Sequence, residues 1–473
     1  MKYAKTKILT TLGPATDSKK MLTKLIDAGV DAVRLNFSHG NHDYFEKLFH
    51  TIHEVCVSKS LPIATLVDLQ GPKIRIGELI EDEIEIKSGK QIEITTKQVK
   101  GTKELISTSY NSLVKDASVG DKILINDGLI QLKVKKKKKE SLVCDIIEGG
   151  TLKPRKGMNL PGMKLSTKAV TKKDFKNLEF ALQHRVDFIA LSFVRSEHDI
   201  LHLKKWLSKI GHDIPIIAKI EKPEAVINFE KILSAADGIM VARGDLGVEM
   251  NPQDVPVIQK NIIKRCNEVG KLVITATQML ESMIENPVPT RAEASDVANA
   301  VWDGTDVVML SGETSVGKHP VQAVKFMNEI ILKTETSEHY NCNADFEIPS
   351  SLEDNLFDST GKANKDMSDR INASAIVVFT HYGRKARVIA KYRPQAPIIA
   401  ISDKFDTLNK LNLYKGIKPF FVENFSDEEY ATKRAIEILR KHSIAKKGDV
   451  VMLSAGAPIT EKGRRSWVRF LVL

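Results

Sequence analysis

Eight short apolar segments, each followed by a stretch of helical period, constrain the fold of this chain more than any other feature. KILTTLG (Lys7–Gly13), DAVRLNF (Asp31–Phe37) and IATLVDL (Ile63–Leu69) come first. DFIALSF (Asp187–Phe193), PIIAKIE (Pro215–Glu221), DGIMVAR (Asp237–Arg243), KLVITAT (Lys271–Thr277) and DVVMLSG (Asp306–Gly312) follow. Such alternation predicts parallel strands joined by helical crossovers. Continuous apolar runs predict strands buried on both faces. Eight is the number that closes a barrel. The polar residues also fall where a barrel places its chemistry. Asn36, Ser38, Asp68, Arg195, Lys219, Glu221, Asp245, Thr277 and Glu313 all sit at or just beyond the carboxyl ends of strands. A doubly wound open sheet, the alternative, would gather them at one switch point. The expected fold is an α/β chain built on a (β/α)8 TIM barrel.

The alternation breaks once. After IATLVDL come short period-two segments such as EIEI, KQIEITT and DKILINDGLIQLKV, with glycine or charged breaks. They predict an antiparallel β-barrel lid domain inserted over residues 70–165. It closes with KGMNLPGMKL, whose Gly157, Pro161 and Gly162 read as a hinge. The barrel then comprises residues 1–69 and 166–340. Residues 341–370 are polar and patternless, so a linker with an exposed helix is expected. Residues 371–473 alternate again and predict a C-terminal α/β domain.

Composition narrows the class of function. The formal charge is +11, but the cations are scattered and aromatics make up only 6%. The one dense run, Lys135–Lys139, reads as a solvated hairpin tip, because a nucleic-acid footprint needs stacking aromatics beside its charge. Cys56, Cys144, Cys266 and Cys342 are widely spaced without a CxxC pair, which predicts free thiols in a reducing compartment. No run approaches the roughly 18 apolar residues of a spanning helix. The amino terminus lacks the apolar core of a signal peptide. The expectation is a cytoplasmic protein that binds neither membrane nor nucleic acid.

The chemistry concentrates between Ile216 and Glu249. Glu221 and Asp245 each follow a strand, so parallel pairing brings both carboxylates to one end of the sheet. With Lys219 and Arg243 beside them, they suit one divalent hard cation and a phosphorylated substrate. An ion-pair network at a sheet end is the competing reading.

TKILTTLGPAT, AGVDAVRLNFSHG, AKIEKPEAV, DGIMVARGDLGVE, TATQMLESMIENPVPTRAEASDVANAVWDG and MLSGET occur in this order. In these motifs and their spacing, over essentially its whole length, the chain resembles the pyruvate kinase family. The last two motifs together are the most specific; GDLG alone would be weak. The resemblance implies transfer of a phosphoryl group from phosphoenolpyruvate to ADP, giving pyruvate and ATP as the last step of glycolysis. It implies Mg²⁺ (or Mn²⁺) on Glu221 and Asp245, Lys219 at the group in flight, and Arg34 on the transferring phosphate. Arg34, Gly244, Asp245 and Thr277 would hold the substrate, with Thr277 orienting its carboxylate or the water that protonates the enolate. Asn36, His39, Arg75 and Lys156 would meet the nucleotide. A K⁺ site would use Asn36, Ser38, Asp68 and Leu69. A homotetramer is implied as well.

Two departures carry expectations. The family commonly shows Asp-Thr-Lys-Gly-Pro-Glu, where this chain has Asp68-Leu69-Gln70-Gly71-Pro72-Lys73. The ammonium of Lys73 is therefore expected to reach the space bounded by Asn36, Ser38 and Asp68, to pair with Asp68, and to remove the need for K⁺; in the competing reading Lys73 points to solvent and K⁺ still binds through the remaining ligands. In the tail, the family's sugar-phosphate loop is replaced by Thr380-His381-Tyr382-Gly383-Arg384-Lys385, which lacks two hydroxyl donors. The later effector loop is replaced by GAPITEKGRRSW, from Gly456. Two other classes compete. A metal-dependent aldolase or lyase on a similar barrel normally lacks the inserted lid, Arg75 and Lys156. A basic binding protein with a dead barrel has no reason to retain Lys219, Glu221, Asp245 and Thr277.

Overall fold

The computed structural model describes residues 4–340, 346–423, 427–457 and 465–473. Cys342 and most of the GAPITEKGRRSW segment, Arg464 included, lie outside them. Barrel strands β1 (Lys7–Thr11), β2 (Ala32–Asn36), β3 (Ala64–Asp68), β4 (Phe188–Leu191), β5 (Ile216–Ile220), β6 (Gly238–Ala242), β7 (Leu272–Ala276) and β8 (Val307–Leu310) pair in parallel in chain order, and β8 closes onto β1. Alternation along each strand makes two cores. Leu9, Leu66, Phe188, Ile217, Met240 and Ile274 fill the barrel interior. Ile8, Val67, Ile189, Ile216, Val241 and Val273 face the helical ring.

The acid that opens four of the apolar segments has a shared task. Asp31, Asp187, Asp237 and Asp306 each precede an even-numbered strand. Their carboxylates accept the backbone N–H of Ile8, Thr65, Ile216 and Val273, on the preceding odd strands, at 2.9, 2.8, 2.8 and 2.9 Å. The amino-terminal end of the barrel is thus stapled pairwise and leaves the carboxyl end for chemistry.

The insertion after β3 has its own core, which includes Ile92, Ile106, Ile123, Leu132 and Cys144. It forms a six-stranded and a two-stranded sheet. The antiparallel β-barrel expected there takes the form of these two sheets, of which neither closes on itself, and one strand pairing is parallel. Gln91–Thr95 pairs in parallel with Leu105–Ser107. Lysines of the 135–139 run are solvated and meet local acids, Lys135 at Asp145 and Lys138 at Glu93.

The tail sheet contains β9 (Ala375–Phe379), β10 (Ile398–Ser402), β11 (Ile417–Phe421), β12 (Val450–Ala457) and β13 (Arg465–Val472), in the order β11-β10-β9-β12-β13. It docks on the amino-terminal end of the barrel, where Leu413 joins the interior core. Asn412 donates to the carbonyls of Asp31 and Pro62. The helix of the 341–370 segment, Leu352–Arg370, packs one face, with Asp358, Gly361, Asn364 and Ser368 buried, and leaves the other exposed. It lies against the Arg384–Lys391 helix at Gly361, where a Cβ would fall 2.5 Å from Val388.

In the Thr380–Lys385 loop, Lys385 turns inward and donates to the Ala455 carbonyl at 2.6 Å. Burial pushes its amine down to about 8 from an ordinary 10.5. Between those values the unfolded chain binds a proton that the folded protein does not, so stability rises with pH across the window; below it the buried charge costs stability in full. Lys385→Met should therefore raise the melting temperature at pH 7, by about 1–3 kcal/mol of stability. The gain should vanish above pH 10.5. A melting temperature unchanged at pH 7 would count against this origin.

Candidate active site

The carboxyl ends of β2, β3 and β5 converge on one buried carboxylate, Asp68, which is 1% exposed. Arg34 on β2 meets it through Nε and Nη2 at 2.8 and 2.7 Å and reaches Thr11 on β1 through Nη1 at 2.9 Å. Lys219 on β5 stands 3.3 Å from both of its oxygens. Lys219 also pairs with Glu221 Oε1 at 2.9 Å and donates to Ser192 Oγ at 2.8 Å. A single chain of charge thus runs Arg34–Asp68–Lys219–Glu221 across the barrel mouth.

Burial opposes charge on all three titrating groups of that chain, and their partners decide the outcome. Burial alone would raise the Asp68 carboxyl, but Lys219 and Arg34 outweigh it and hold the group below its ordinary range. Burial likewise disfavours the Lys219 ammonium, yet Asp68 and Glu221 hold it above its usual value. Glu221 stays raised, first by burial, with Lys219 lowering it and Asp245 raising it. It is a carboxylate short of positive charge.

Asp245 lies in the first turn of a short helix, Arg243–Glu249, so the turn expected after β6 is helical. Among the described residues its carboxylate takes no hydrogen bond or ion pair, and it lines a cleft of about 970 Å³ with Gly244, Thr277 and Ser311. Two hard carboxylates, one under-compensated and one free, fit a divalent cation. No cluster of three or more His, Cys, Asp or Glu among the described residues would hold a metal by itself. An ion held by Glu221 and Asp245 would need substrate oxygens or water for the rest of its shell.

Thr277 and Gln278 both adopt positive φ, +68° and +54°. For a β-branched residue this is strained backbone of the sort found at functional sites. Arg243 enforces it by gripping the carbonyls of Ala276 and Thr277 at 3.2 and 2.6 Å while paired with Asp296 at 2.7 Å. The Thr277 hydroxyl donates to the Ala276 carbonyl and accepts the Gly244 N–H, both at 2.7 Å. It therefore sets the Gly244–Asp245 turn.

The residues expected at the nucleotide are less tightly grouped. His39 is largely exposed; partial burial of its ring and the charges of Lys73, Arg75 and Arg34 hold its imidazole below the ordinary range. Arg75 donates to the Arg155 carbonyl at 2.9 Å. Lys156 lines a separate depression on the insertion with Asn126, Thr151 and Lys153. The structure does not bring it to the cleft. The expected Lys73–Asp68 pair is corrected: Lys73 is exposed, and the ion-pair partners of Asp68 are Arg34 and Lys219. Arg34, one strand away on β2, and Lys219, two strands away on β5, take the carboxylate instead.

Two strand-end residues prove architectural. Glu313 accepts the N–H of Leu280 and Ser311. Arg195 holds the carbonyls of Leu165 and Thr167 at 2.8 and 2.6 Å, where the insertion returns to the barrel. A second tie is buried: Asn159 of the insertion and Lys222 both meet Glu249 Oε1, at 2.8 and 2.6 Å.

Comparison with known proteins supplies independent evidence. The family profile described as "Pyruvate kinase, barrel domain" matches residues 3–324, and "Pyruvate kinase, alpha/beta domain" matches 358–470. The chain is similar to the pyruvate kinase of Geobacillus stearothermophilus, 43% identical over 475 residues, spanning 99% of this chain and 80% of that protein. It is 41% identical over 467 residues to the pyruvate kinase of Staphylococcus epidermidis, spanning 98% and 80%. A crystal structure of a pyruvate kinase from Cryptosporidium parvum superimposes with a TM-score of 0.91 at 36% identity, covering 99% of this chain and 96% of that one.

Proposed function

The chain belongs to the pyruvate kinase family, and on that premise we propose that the mouth of the barrel, from Arg34 to Thr277, carries its reaction. The enzyme is a phosphotransferase that moves the phosphoryl group of phosphoenolpyruvate to ADP, giving pyruvate and ATP in glycolysis. The observation that supports placing the reaction here is Lys219, an ammonium held charged between two carboxylates at 3.3 and 2.9 Å. A fixed cation suits a phosphoryl group whose charge spreads over its oxygens in the transition state.

The family reaction uses a divalent metal; in this reading Glu221 and Asp245 hold Mg²⁺ or Mn²⁺, which neutralises substrate charge when bound. Lys219 faces the transferring group. Arg34 holds its oxygens and keeps Asp68 in place. Gly244 and Asp245 receive the substrate carboxylate side, and the Thr277 hydroxyl orients that turn and the water that protonates the enolate. Asn36, His39 and Arg75 meet the nucleotide, and Lys156 joins them only by a movement of the insertion. Residues 70–165 act as the lid, 341–370 join, and 371–473 regulate. A homotetramer in the cytoplasm remains part of the proposal; among the described residues no helix is long and apolar enough to cross a membrane. The direct test is ADP-dependent conversion of phosphoenolpyruvate to pyruvate with stoichiometric ATP; metal-dependent pyruvate release without ADP would favour the lyase reading.

This reading includes independence from K⁺, on a revised basis. Three of the four groups that would hold the ion already have partners. Asn36 Oδ1 accepts the Ser38 N–H at 3.1 Å, and the Leu69 carbonyl accepts Ser192 Oγ at 2.8 Å. Asp68 serves Arg34 and Lys219, and Lys73 adds its charge nearby, where His39 feels it. The initial rate should be the same in tetramethylammonium and in K⁺ buffer at equal ionic strength. Marked stimulation by K⁺ would end the idea.

A further inference from the structure

Two consecutive residues at the carboxyl end of β4 contact the two groups on which the reaction depends. Ser192 is 3% exposed. Its hydroxyl accepts from Lys219 Nζ at 2.8 Å and donates to the Leu69 carbonyl at 2.8 Å, the nearer of its two acceptors, with Asp68 Oδ1 at 3.3 Å. A hydroxyl has one proton, so with that proton on Leu69 its lone pairs face the ammonium. Lys219 has three anchors: Asp68, Glu221 and Ser192. Ser192 alone of these fixes the ammonium without neutralising it. It also stays in place if Glu221 is drawn toward a second cation.

The next residue serves the carboxylate. The Phe193 N–H donates to Glu221 Oε2 at 2.8 Å, on the oxygen that Lys219 leaves free. Phe193 reaches this position only at φ +56°, an unusual conformation for a bulky side chain. Its ring is seated against Gly71, where an added Cβ would fall 2.7 Å from Phe193 Cδ2. The Gly71 N–H is itself held by Asp174 Oδ1 at 3.2 Å. Strained backbone persists where its surroundings over-determine it, and it clusters at sites that use it.

We propose that Ser192 and Phe193 form a positioning pair: the Ser192 hydroxyl sets the Lys219 ammonium, and the strained Phe193 N–H aims the Glu221 carboxylate. The proposal deepens the phosphotransfer reading and rests on it for the roles of Lys219 and Glu221. It also explains why a serine interrupts the apolar run of β4 and why Gly71 follows β3.

The test uses the full-length enzyme, with kcat and KM for both substrates, Mn²⁺ binding by electron paramagnetic resonance without substrate, and thermal melting. Ser192→Ala should lower kcat about tenfold or more through misplacement of Lys219. KM for both substrates, Mn²⁺ affinity and melting should hold, and Ser192→Thr should restore most of kcat. At 193 the contrast is between glycine and alanine. Both lose the ring, but only glycine holds φ +56° without steric cost. Phe193→Ala should weaken Mn²⁺ binding about tenfold, as loss of a group that orients a metal ligand does, and Phe193→Gly should weaken it less. A role in packing alone predicts the reverse order, since glycine loosens the chain more. Wild-type kcat in Ser192→Ala, a fall in kcat matched by a fall in melting, or glycine weaker than alanine would overturn the proposal. The Mn²⁺ isotherm needs no turnover, so failure here is distinguishable from failure of the phosphotransfer reading.

Discussion

Replacing Lys219 with methionine should leave a folded enzyme that transfers phosphoryl groups about 10²–10³-fold more slowly, the usual cost of removing one preorganised charge from a transition state. The methionine fills the volume of the lysine stem. Asp68 keeps Arg34, and Glu221 keeps the Phe193 N–H, so neither carboxylate is stranded. KM for phosphoenolpyruvate and ADP should change little, because the lost interaction is made chiefly in the transition state. Steady-state kinetics decide the matter. A kcat near that of the wild type would remove Lys219 from the reaction.

Asp68→Asn should be the more damaging change, because it strikes stability and catalysis together. The carboxylate is buried and serves two cations. Removing its charge takes the carboxylate partner from Arg34 and leaves Lys219 with Glu221 alone, and breaking a buried pair in this way costs about 3–5 kcal/mol. Lys219 also loses an anchor, so kcat should fall with the urea midpoint. The pH sign follows from the lowered carboxyl. Its stabilising contribution is present above the ordinary value of 3.8 and is lost as pH falls through the lower folded value. The variant should lack that part of the acid sensitivity. Wild-type stability at pH 7 would contradict the central place given to Asp68.

The sequence exposes the barrel because its signals are local. Apolar runs, helix caps and strand-end polar residues can each be read within about ten positions. What it conceals is which strand ends face one another. Asp68 reads as part of a cation loop because nothing in the chain order shows that its side chain meets Lys219 across β4. The charge of Lys73 is legible, but its outward direction is not, since exposure depends on neighbours distant in the chain. Ser192 is one hydroxyl at the end of an apolar run, and its meaning needs Lys219 and Leu69 beside it. Asp31, Asp187, Asp237 and Asp306 look like turn residues until the parallel neighbour whose N–H they accept is in place. Leu413 is an ordinary leucine in sequence; only docking of the tail sheet puts it inside the barrel.

Mn²⁺ binding to the free enzyme, followed by electron paramagnetic resonance for wild type, Glu221→Gln and Asp245→Asn, is the most direct measurement of the site. The two carboxylates come from adjacent strand ends, one under-compensated by its surroundings and the other without a protein partner among the described residues. Expected is one Mn²⁺ per chain, displaced by Mg²⁺, with affinity strongly and similarly reduced in both variants. A normal isotherm in either variant would take that carboxylate off the metal and contradict the assignment of this barrel mouth as the centre of phosphoryl transfer.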